Sequence, residues 1–177
     1  MFTRAKTLGA NATLVFHKLN KGGVQVKIDI YHASQLGYAE EVSEDLGSQL
    51  GEANHEVSIN DLNGVSPSDL TTDALNIFIS STTGSGQVPD NGWFFMDALD
   101  QQKPDLSDLC FAIFGLGDTG YDDTYNMGSE LVMGALKACG AKQIGERGLH
   151  DASSDEIAED LVNEWIGPIL NEYNQQL

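Results

Sequence analysis

The sequence predicts an α/β fold in which a doubly wound parallel sheet of five strands carries helices on both faces. Residues 75–80 (LNIFIS) and 109–115 (LCFAIFG) are almost uninterrupted apolar runs, typical of strands that helices cover on both sides. Segments with helical periodicity separate the short strand-like segments along most of the chain. A length of 177 residues fits a single domain with a substantial core.

The first half of the chain supplies three predicted strands and one helix. Residues 24–31 (VQVKIDIY) combine alternating polarity with β-branched side chains and predict the first strand. Apolar residues then recur at helical spacing while acidic residues between them face outward; the apolar set is Ala39, Val42, Leu46 and Leu50. Residues 56–59 predict a short second strand. Residues 61–73 show no full helical pattern, so the helix expected before the third strand is missing or short.

The second half alternates helices with the last two strands. A helix over residues 93–101 separates the two apolar strands, and a second helix extends to Cys139, where Gly140 predicts its end. Residues 143–149 predict the last strand. Ser153 and Glu156 have the spacing of a capping box, which predicts the start of the final helix. Pro168, which follows a glycine, predicts a kink or an end within that helix.

Residues 1–22 form an N-terminal extension of uncertain structure ahead of the domain predicted for residues 23–177. The extension is basic and contains no acidic residue. Three interpretations remain open at this point: a transit peptide, an extra strand over residues 12–16, or a start codon assigned too far upstream. We expect a cytoplasmic protein, or an organelle-targeted one if the extension is a transit peptide.

Charge and cysteine content exclude several classes of protein. Nine basic residues against 27 acidic ones give a net charge of −18, and residues 28–177 alone hold four basic residues and all 27 acidic ones, a net −23. Such a domain repels nucleic acids and anionic membranes and attracts basic partners. The longest apolar run, residues 109–114, is too short to cross a membrane. Two cysteines 29 positions apart exclude a disulfide scaffold and a cysteine-rich metal site.

Three loops of unusual composition follow the predicted strands. Ligands of open α/β sheets bind beyond the carboxyl ends of the strands, so these loops are the candidate site. Residues 32–39 (HASQLGYA) lead into a helix whose free backbone N–H groups can bind a phosphate. Residues 80–91 (SSTTGSGQVPDN) contain seven Ser, Thr or Gly residues among twelve and can bend against a planar ligand. Residues 115–126 (GLGDTGYDDTYN) add two tyrosines that can stack on an aromatic ring.

In this order, the segments SQLGYAEEV, SSTTGSGQVPDN and GLGDTGYDDTYN resemble the three FMN-binding loops of the flavodoxin family, and of its short-chain MioC-type members in particular. The similarity extends into QQKPDLS (residues 101–107) and GAKQIGE (residues 140–146) and covers about residues 28–170. It implies the flavodoxin-like strand order 2-1-3-4-5 and FMN as the cofactor.

The resemblance also assigns cofactor-binding residues in each loop, and it implies neither catalytic nor metal-binding residues. The first loop would hold the FMN phosphate through Ser34, Gln35, Leu36, Gly37, Tyr38 and Ala39. The second loop would line one side of the isoalloxazine ring with Ser81, Thr82, Thr83 and Gly84. The third loop would line the other side with Leu116, Gly117, Asp118, Tyr121, Tyr125 and Asn126, and Tyr121 is the best candidate for stacking.

Three positions depart from the family pattern. Leu36 stands where many flavodoxins have threonine, and Thr83 stands where relatives often place an aromatic residue or histidine against the ring. The spacing from Tyr121 to Tyr125 is one residue longer than the usual Tyr-x-x-Phe. These departures leave open which tyrosine covers the ring, and they predict an altered or weakened affinity for FMN.

The function that the resemblance implies is electron transfer. We expect a monomer or weak dimer that shuttles single electrons from a basic-faced flavodoxin or ferredoxin reductase to an acceptor redox enzyme. One alternative is a flavodoxin-like quinone or nitro-compound reductase that uses NAD(P)H directly, although the three loops contain no Arg or Lys to bind a nicotinamide nucleotide. The other alternative is an interaction module with a degenerate site and no cofactor.

Two further patterns in the sequence resemble a dinucleotide-binding motif and a set of metal ligands. Residues 115–120 match the G-x-G-x-x-G dinucleotide motif, but they follow the fourth strand rather than the first. The four histidines are scattered without a helical pair, so they are expected at the surface or in loops. Neither pattern predicts a nicotinamide or metal site.

Overall fold

The computed structural model describes residues 24–177 of the chain. The prediction for the extension, residues 1–22, including the extra strand considered there, lies outside the described residues. Within the described part, strands and helices alternate as expected: β1 (Lys27–Ala33), α1 (Tyr38–Glu52), β2 (Glu56–Asp61), β3 (Leu75–Ser81), α2 (Asp90–Gln102), β4 (Cys110–Gly117), α3 (Met127–Ala138), β5 (Lys142–Gln143), β6 (Gly148–Asp151) and α4 (Ala158–Asn174).

The strands form one parallel sheet in the order β2-β1-β3-β4-β5, and β6 also pairs with β4. The predicted α/β class and the strand order 2-1-3-4-5 are therefore confirmed. β5 and β6 are two pieces of the fifth strand, since Gln143 pairs with Phe111 and Gly148 pairs with Phe114. Four residues of the outer strand thus lie opposite two residues of β4, and the ladder is interrupted there.

Helices cover both faces of this sheet. On one face, apolar residues of α1 and α4, among them Val42, Leu46 and Ile166, pack against Ile28 and Ile30 of β1 in one buried cluster. On the other face, residues of α2 and α3 pack with Phe78 and Phe111 in a second cluster. Burial on both sides explains why β3 and β4 are recognisable as almost uninterrupted apolar runs.

Several predicted boundaries need correction. β1 begins at Lys27 rather than at residue 24. The expectation that the helix before the third strand is missing or short is confirmed, since residues 62–73 contain only the short 3₁₀ turn Pro67–Asp69. The predicted capping box is wrong, because α4 begins at Ala158 and has no side-chain cap. The hydroxyl of Ser153 instead donates to Asp118 Oδ1. α4 also does not end at Pro168 but continues to Asn174.

A membrane-spanning helix is absent from the described residues: none of the four helices combines the required length with sufficient apolarity.

Candidate functional site

A cavity of about 500 Å³ opens at the carboxyl ends of the parallel strands. All three predicted loops contribute to its walls, and so does the segment that follows β6. The lining residues are Ser34, Gln35, Leu36, Tyr38, Ser81, Thr82, Thr83, Gly84, Leu116, Gly117, Asp118, Tyr121, Thr124, His150 and Ala152. The parallel sheet thus brings together residues more than a hundred positions apart in the sequence.

The first loop connects β1 to the N-terminus of α1. Ser34 fixes its shape, because its Oγ accepts a hydrogen bond from Ala39 N at 3.1 Å and its own N–H donates to Asn91 Oδ1 at 3.0 Å. Gly37 stands at the N-cap with φ 87°, a left-handed conformation that glycine adopts without strain. Leu36 is 94% exposed, so this departure from the family pattern places its side chain in solvent rather than against the protein.

The middle of this loop, residues 35–38, has four consecutive backbone N–H groups that are not used in hydrogen bonds to the described residues. Among residues 24–177, no group accepts a hydrogen bond from the N–H of Gln35, Leu36, Gly37 or Tyr38. These donors lie at the positive end of the α1 dipole. Successive free N–H groups at a helix N-terminus are a binding site for an anion such as phosphate and need no Lys or Arg.

The second loop is a tight hairpin whose ends are fixed. Thr83 and Gln87 form an antiparallel bridge through Thr83 N to Gln87 O (2.9 Å) and Gln87 N to Thr83 O (2.8 Å). Gly84 and Gly86 adopt positive φ values of 54° and 94° inside the hairpin. Thr83 lines the cavity, and its hydroxyl and methyl group offer no aromatic face to a ligand.

The second loop is also joined to the third. Thr82 N donates to the carbonyl of Leu116 at 3.1 Å, and Thr82 Oγ1 accepts from Gly128 N at 3.1 Å. Gly128, in the first turn of α3, packs so closely on β3 that a Cβ there would collide with the carbonyl oxygen of Ser81. The two walls of the cavity are therefore in direct backbone contact at their base.

The third loop contains an irregular 3₁₀ segment, Thr119–Thr124, between β4 and α3. Tyr121 lines the cavity and is 69% exposed, so its ring is free to contact a ligand. Tyr125 does not line the cavity. Asn126 is fully buried, N-caps α3 with φ 55°, and donates from Nδ2 to the carbonyl of His150 at 3.0 Å.

Twelve of the sixteen predicted site residues line the cavity. The structure does not bring Gly37, Ala39, Tyr125 or Asn126 to its surface: Gly37 contributes only backbone shape, and Ala39 is part of the buried cluster under α1. Sequence reasoning missed Thr124, His150 and Ala152. The signal for the last two was the same strand-end rule that located the other loops, but the last strand was predicted to end at Leu149.

His150 is the best buried of the missed residues, at 3% exposure. Its Nε2 lies 3.0 Å from the carbonyl oxygen of Glu156, which assigns the proton of a neutral ring to Nε2. Its Nδ1 is buried and has no hydrogen-bond partner in the described part of the chain. The ring also lies 6.3 Å from that of Tyr38, and burial, followed by the carboxylates of Glu159 and Glu41, raises the pKa of the Tyr38 hydroxyl. The expectation that the histidines lie at the surface or in loops is wrong for His150 and also for His32, which is 5% exposed within β1.

Acidic residues dominate the charge around the cavity. No Lys or Arg of residues 24–177 lines it, while the exposed side chains of Asp90, Asp122 and Asp123 belong to its second and third loops. Hydrogen bonds from the N–H and hydroxyl of Thr119 and the N–H of Ser153 lower the pKa of Asp151. Among residues 24–177, no group of three or more His, Cys, Asp and Glu side chains is arranged to hold a metal ion. The site therefore offers neutral and backbone donors within a negative field.

Comparison with known proteins shows what this arrangement is similar to. The family model described as Flavodoxin matches residues 30–165. Protein MioC of Escherichia coli (strain K12) is 38% identical over 144 residues, which cover 81% of this chain and 96% of that protein. A cysteine-to-alanine mutant of the flavodoxin from Pseudomonas aeruginosa has a similar structure, with a TM-score of 0.69, 31% identity and coverage of 85% of this chain and 98% of that chain.

A larger protein also contains a matching part. The flavoprotein alpha-component of NADPH sulfite reductase from Bacillus subtilis is 29% identical over 168 residues, which cover 94% of this chain and 27% of that protein.

Proposed function

This chain belongs to the flavodoxin family, and we propose that it binds one FMN in the cavity and carries single electrons between a reductase and an acceptor enzyme. The observation that carries the proposal is the row of four backbone N–H groups at the N-terminus of α1 that have no partner within residues 24–177, beside a cavity that no Lys or Arg of these residues lines. A doubly charged phosphate is a ligand that such donors fit.

The remaining part of the cavity fits a planar ring. The second loop offers Thr82, Thr83 and the Cβ-free Gly84 on one side, and the third loop offers the exposed ring of Tyr121 on the other. Bound FMN would supply the capacity to accept and release electrons one at a time. The protein would hold the phosphate through amide donors, stack Tyr121 on the ring, and leave one edge accessible at the mouth of the cavity.

The charge of the chain supports a basic partner. Residues 28–177 carry a net charge of −23, and the exposed acids Asp90, Asp122 and Asp123 lie on loops of the site. Such a field accelerates association with a basic surface and loses this effect as salt screens it. We therefore propose a basic-faced reductase as the donor. Its rate of electron transfer to this chain should fall steeply between 50 and 500 mM salt, about tenfold or more.

The test is a calorimetric titration of the apoprotein with FMN and, as the matched ligand, riboflavin, which lacks only the phosphate. We expect FMN to bind with one-to-one stoichiometry and riboflavin to bind about 100-fold more weakly, because it forms none of the charge-assisted hydrogen bonds to the loop. Equal affinity for both ligands would contradict the phosphate site. No heat or spectral change with FMN would contradict the function itself.

A second assay separates the carrier from a reductase that turns over substrate alone. The FMN-loaded protein is mixed with NADPH and a quinone, without any added reductase. We expect negligible turnover, since no Lys or Arg of the cavity is available for the nucleotide phosphates. Rapid NADPH oxidation would instead favour the enzyme.

A further inference from the structure

The segment that follows β6 is hydrogen-bonded to the third loop through a carboxylate. One oxygen of Asp151, Oδ1, accepts from Thr119 N at 2.9 Å and from Ser153 N at 2.9 Å. The other, Oδ2, accepts from Thr119 Oγ1 at 2.7 Å. Asp151 thus satisfies both the backbone and the side-chain donor of one third-loop residue, and charge-assisted hydrogen bonds of this kind are stronger than neutral ones.

A reciprocal contact runs in the opposite direction. Asp118, in the third loop, accepts a short hydrogen bond from Ser153 Oγ with the same Oδ1 that accepts from Gly120 N at 2.7 Å. Each segment therefore contributes one carboxylate that binds donors of the other. We call this pair of contacts, Asp151 with Thr119 and Asp118 with Ser153, the carboxylate clamp.

The residue that follows the clamped part of the loop is Tyr121. Its backbone lies outside the helical region (φ −107°, ψ 32°), as does that of Asp122 (φ 16°, ψ −85°). The loop's own hydrogen bonds here are local turn contacts, such as Tyr121 N to Asp118 O at 3.1 Å and Thr124 Oγ1 to Tyr121 O at 3.0 Å. Local turns alone do not fix the loop relative to the sheet, whereas the clamp ties it to the end of β6.

We propose that Asp151 is a positioning residue for cofactor binding: it holds the third loop so that Tyr121 faces the cavity at a fixed distance from the second loop. This inference rests on the proposed function and adds a fourth segment to the site, one whose role is to orient a cofactor contact rather than to make it. Loss of the clamp frees Thr119 and its neighbours, and a tyrosine on a mobile loop loses entropy when it stacks on a ring.

The experiment is a double-mutant cycle on the full chain, read by FMN titration and by the quenching of flavin fluorescence on binding. We expect Asp151→Ala to weaken FMN binding about tenfold and to reduce the quenching. In a Tyr121→Ala background, the same Asp151→Ala substitution should weaken binding less than about twofold, because its effect acts through the tyrosine. Asp155→Ala is the matched control, since it removes an exposed aspartate four residues away whose side chain forms no hydrogen bond with any of residues 24–177.

Asp151→Asn tests the inference if the alanine variant does not fold. An asparagine oxygen can still accept from Thr119 N but carries no charge, so we expect an affinity between those of the wild type and the alanine variant. An equal loss in both tyrosine backgrounds would show a merely structural role and overturn the proposal, as would unchanged binding in both Asp151 variants. These outcomes differ from failure of the proposed function, in which the wild-type protein itself does not bind FMN.

Discussion

The first and third loops of the cavity differ in whether their hydrogen-bond donors already have partners in the protein. The first loop has four successive N–H groups that find no partner among the residues the structure describes, and its Leu36 is 94% exposed. The donors of the third loop have partners within the protein: the N–H and hydroxyl of Thr119 bind the carboxylate of Asp151, and the N–H of Gly120 binds that of Asp118. The first loop therefore has donors available for an anion, whereas the donors of the third loop bind carboxylates that hold the loop in position.

The largest effect is expected from a substitution in the first loop that repels an anion and leaves the backbone unchanged. Leu36→Asp places a carboxylate beside the free amides, where it repels a doubly charged phosphate by roughly 2 kcal/mol and weakens FMN binding about 20-fold. The affinity for riboflavin should change little. Calorimetry with both ligands measures this difference, and Leu36→Asn is the control of equal size. If the asparagine variant lost as much affinity as the aspartate variant, charge would not be the cause.

The next effect tests the third loop by its exposed ring. Tyr121→Ala should weaken FMN binding about tenfold, the order expected for the loss of one aromatic stacking contact. Tyr125→Ala should change the affinity less than about twofold, because Tyr125 does not line the cavity. Titration of both variants followed by flavin fluorescence decides which tyrosine covers the ring. The reverse order of effects would assign the contact to Tyr125.

A smaller effect is expected from backbone strain in the first loop. Gly37→Ala imposes a Cβ at φ 87°, while the nearest outside atom would be 4.0 Å from it, so the cost is conformational and about 1 kcal/mol of unfolding free energy. Gly51→Ala in the same helix has open space and an ordinary φ, so it should stabilise by a few tenths to about 1 kcal/mol. Urea unfolding of both variants measures the contrast. Equal changes in the two variants would argue against strain at Gly37.

The smallest effect is expected when the pH is lowered. Hydrogen bonds lower the pKa of Asp151 in the folded protein. The stability that Asp151 contributes is therefore present above the ordinary aspartate pKa and is lost as the pH falls through the lowered pKa. The third loop should therefore loosen only below about pH 4, whereas the free amides of the first loop do not titrate. Amide exchange at Thr119 and Gly37 between pH 6 and 3 follows the two loops separately. A Thr119 amide equally protected in wild type and Asp151→Asn across this range would contradict the contrast.

The sequence allowed the central part of the fold to be predicted closely. β3 and β4 are almost uninterrupted apolar runs, and their observed bounds differ from the predicted ones by at most two residues. The fifth strand was not predictable in detail. Residues 145–147 leave the ladder because Gly145 adopts φ 63° and donates to Glu172 of α4, while Arg147 donates to the carbonyl of Asn126. Such tertiary contacts have no local signature in the chain.

The same limit explains the misplaced start of α4 and part of the site. Ser153 and Glu156 have the spacing of a capping box, but the Ser153 hydroxyl binds Asp118 across the site. Its true partner lies 35 residues away, and only the folded sheet brings the two together. The three loops could be located because their composition is unusual and their strands are clear. The segment after β6 has ordinary composition, and its predicted strand ended two residues too early.

The close approach of Gly128 to Ser81 has a consequence for the second loop. Because α3 rests directly on the backbone of β3, and Thr82 bonds to both Gly128 and Leu116, the base of this loop is tied to a helix and to the neighbouring strand at once. That side of the cavity is therefore built from main-chain atoms, whose positions do not change when a side chain changes rotamer.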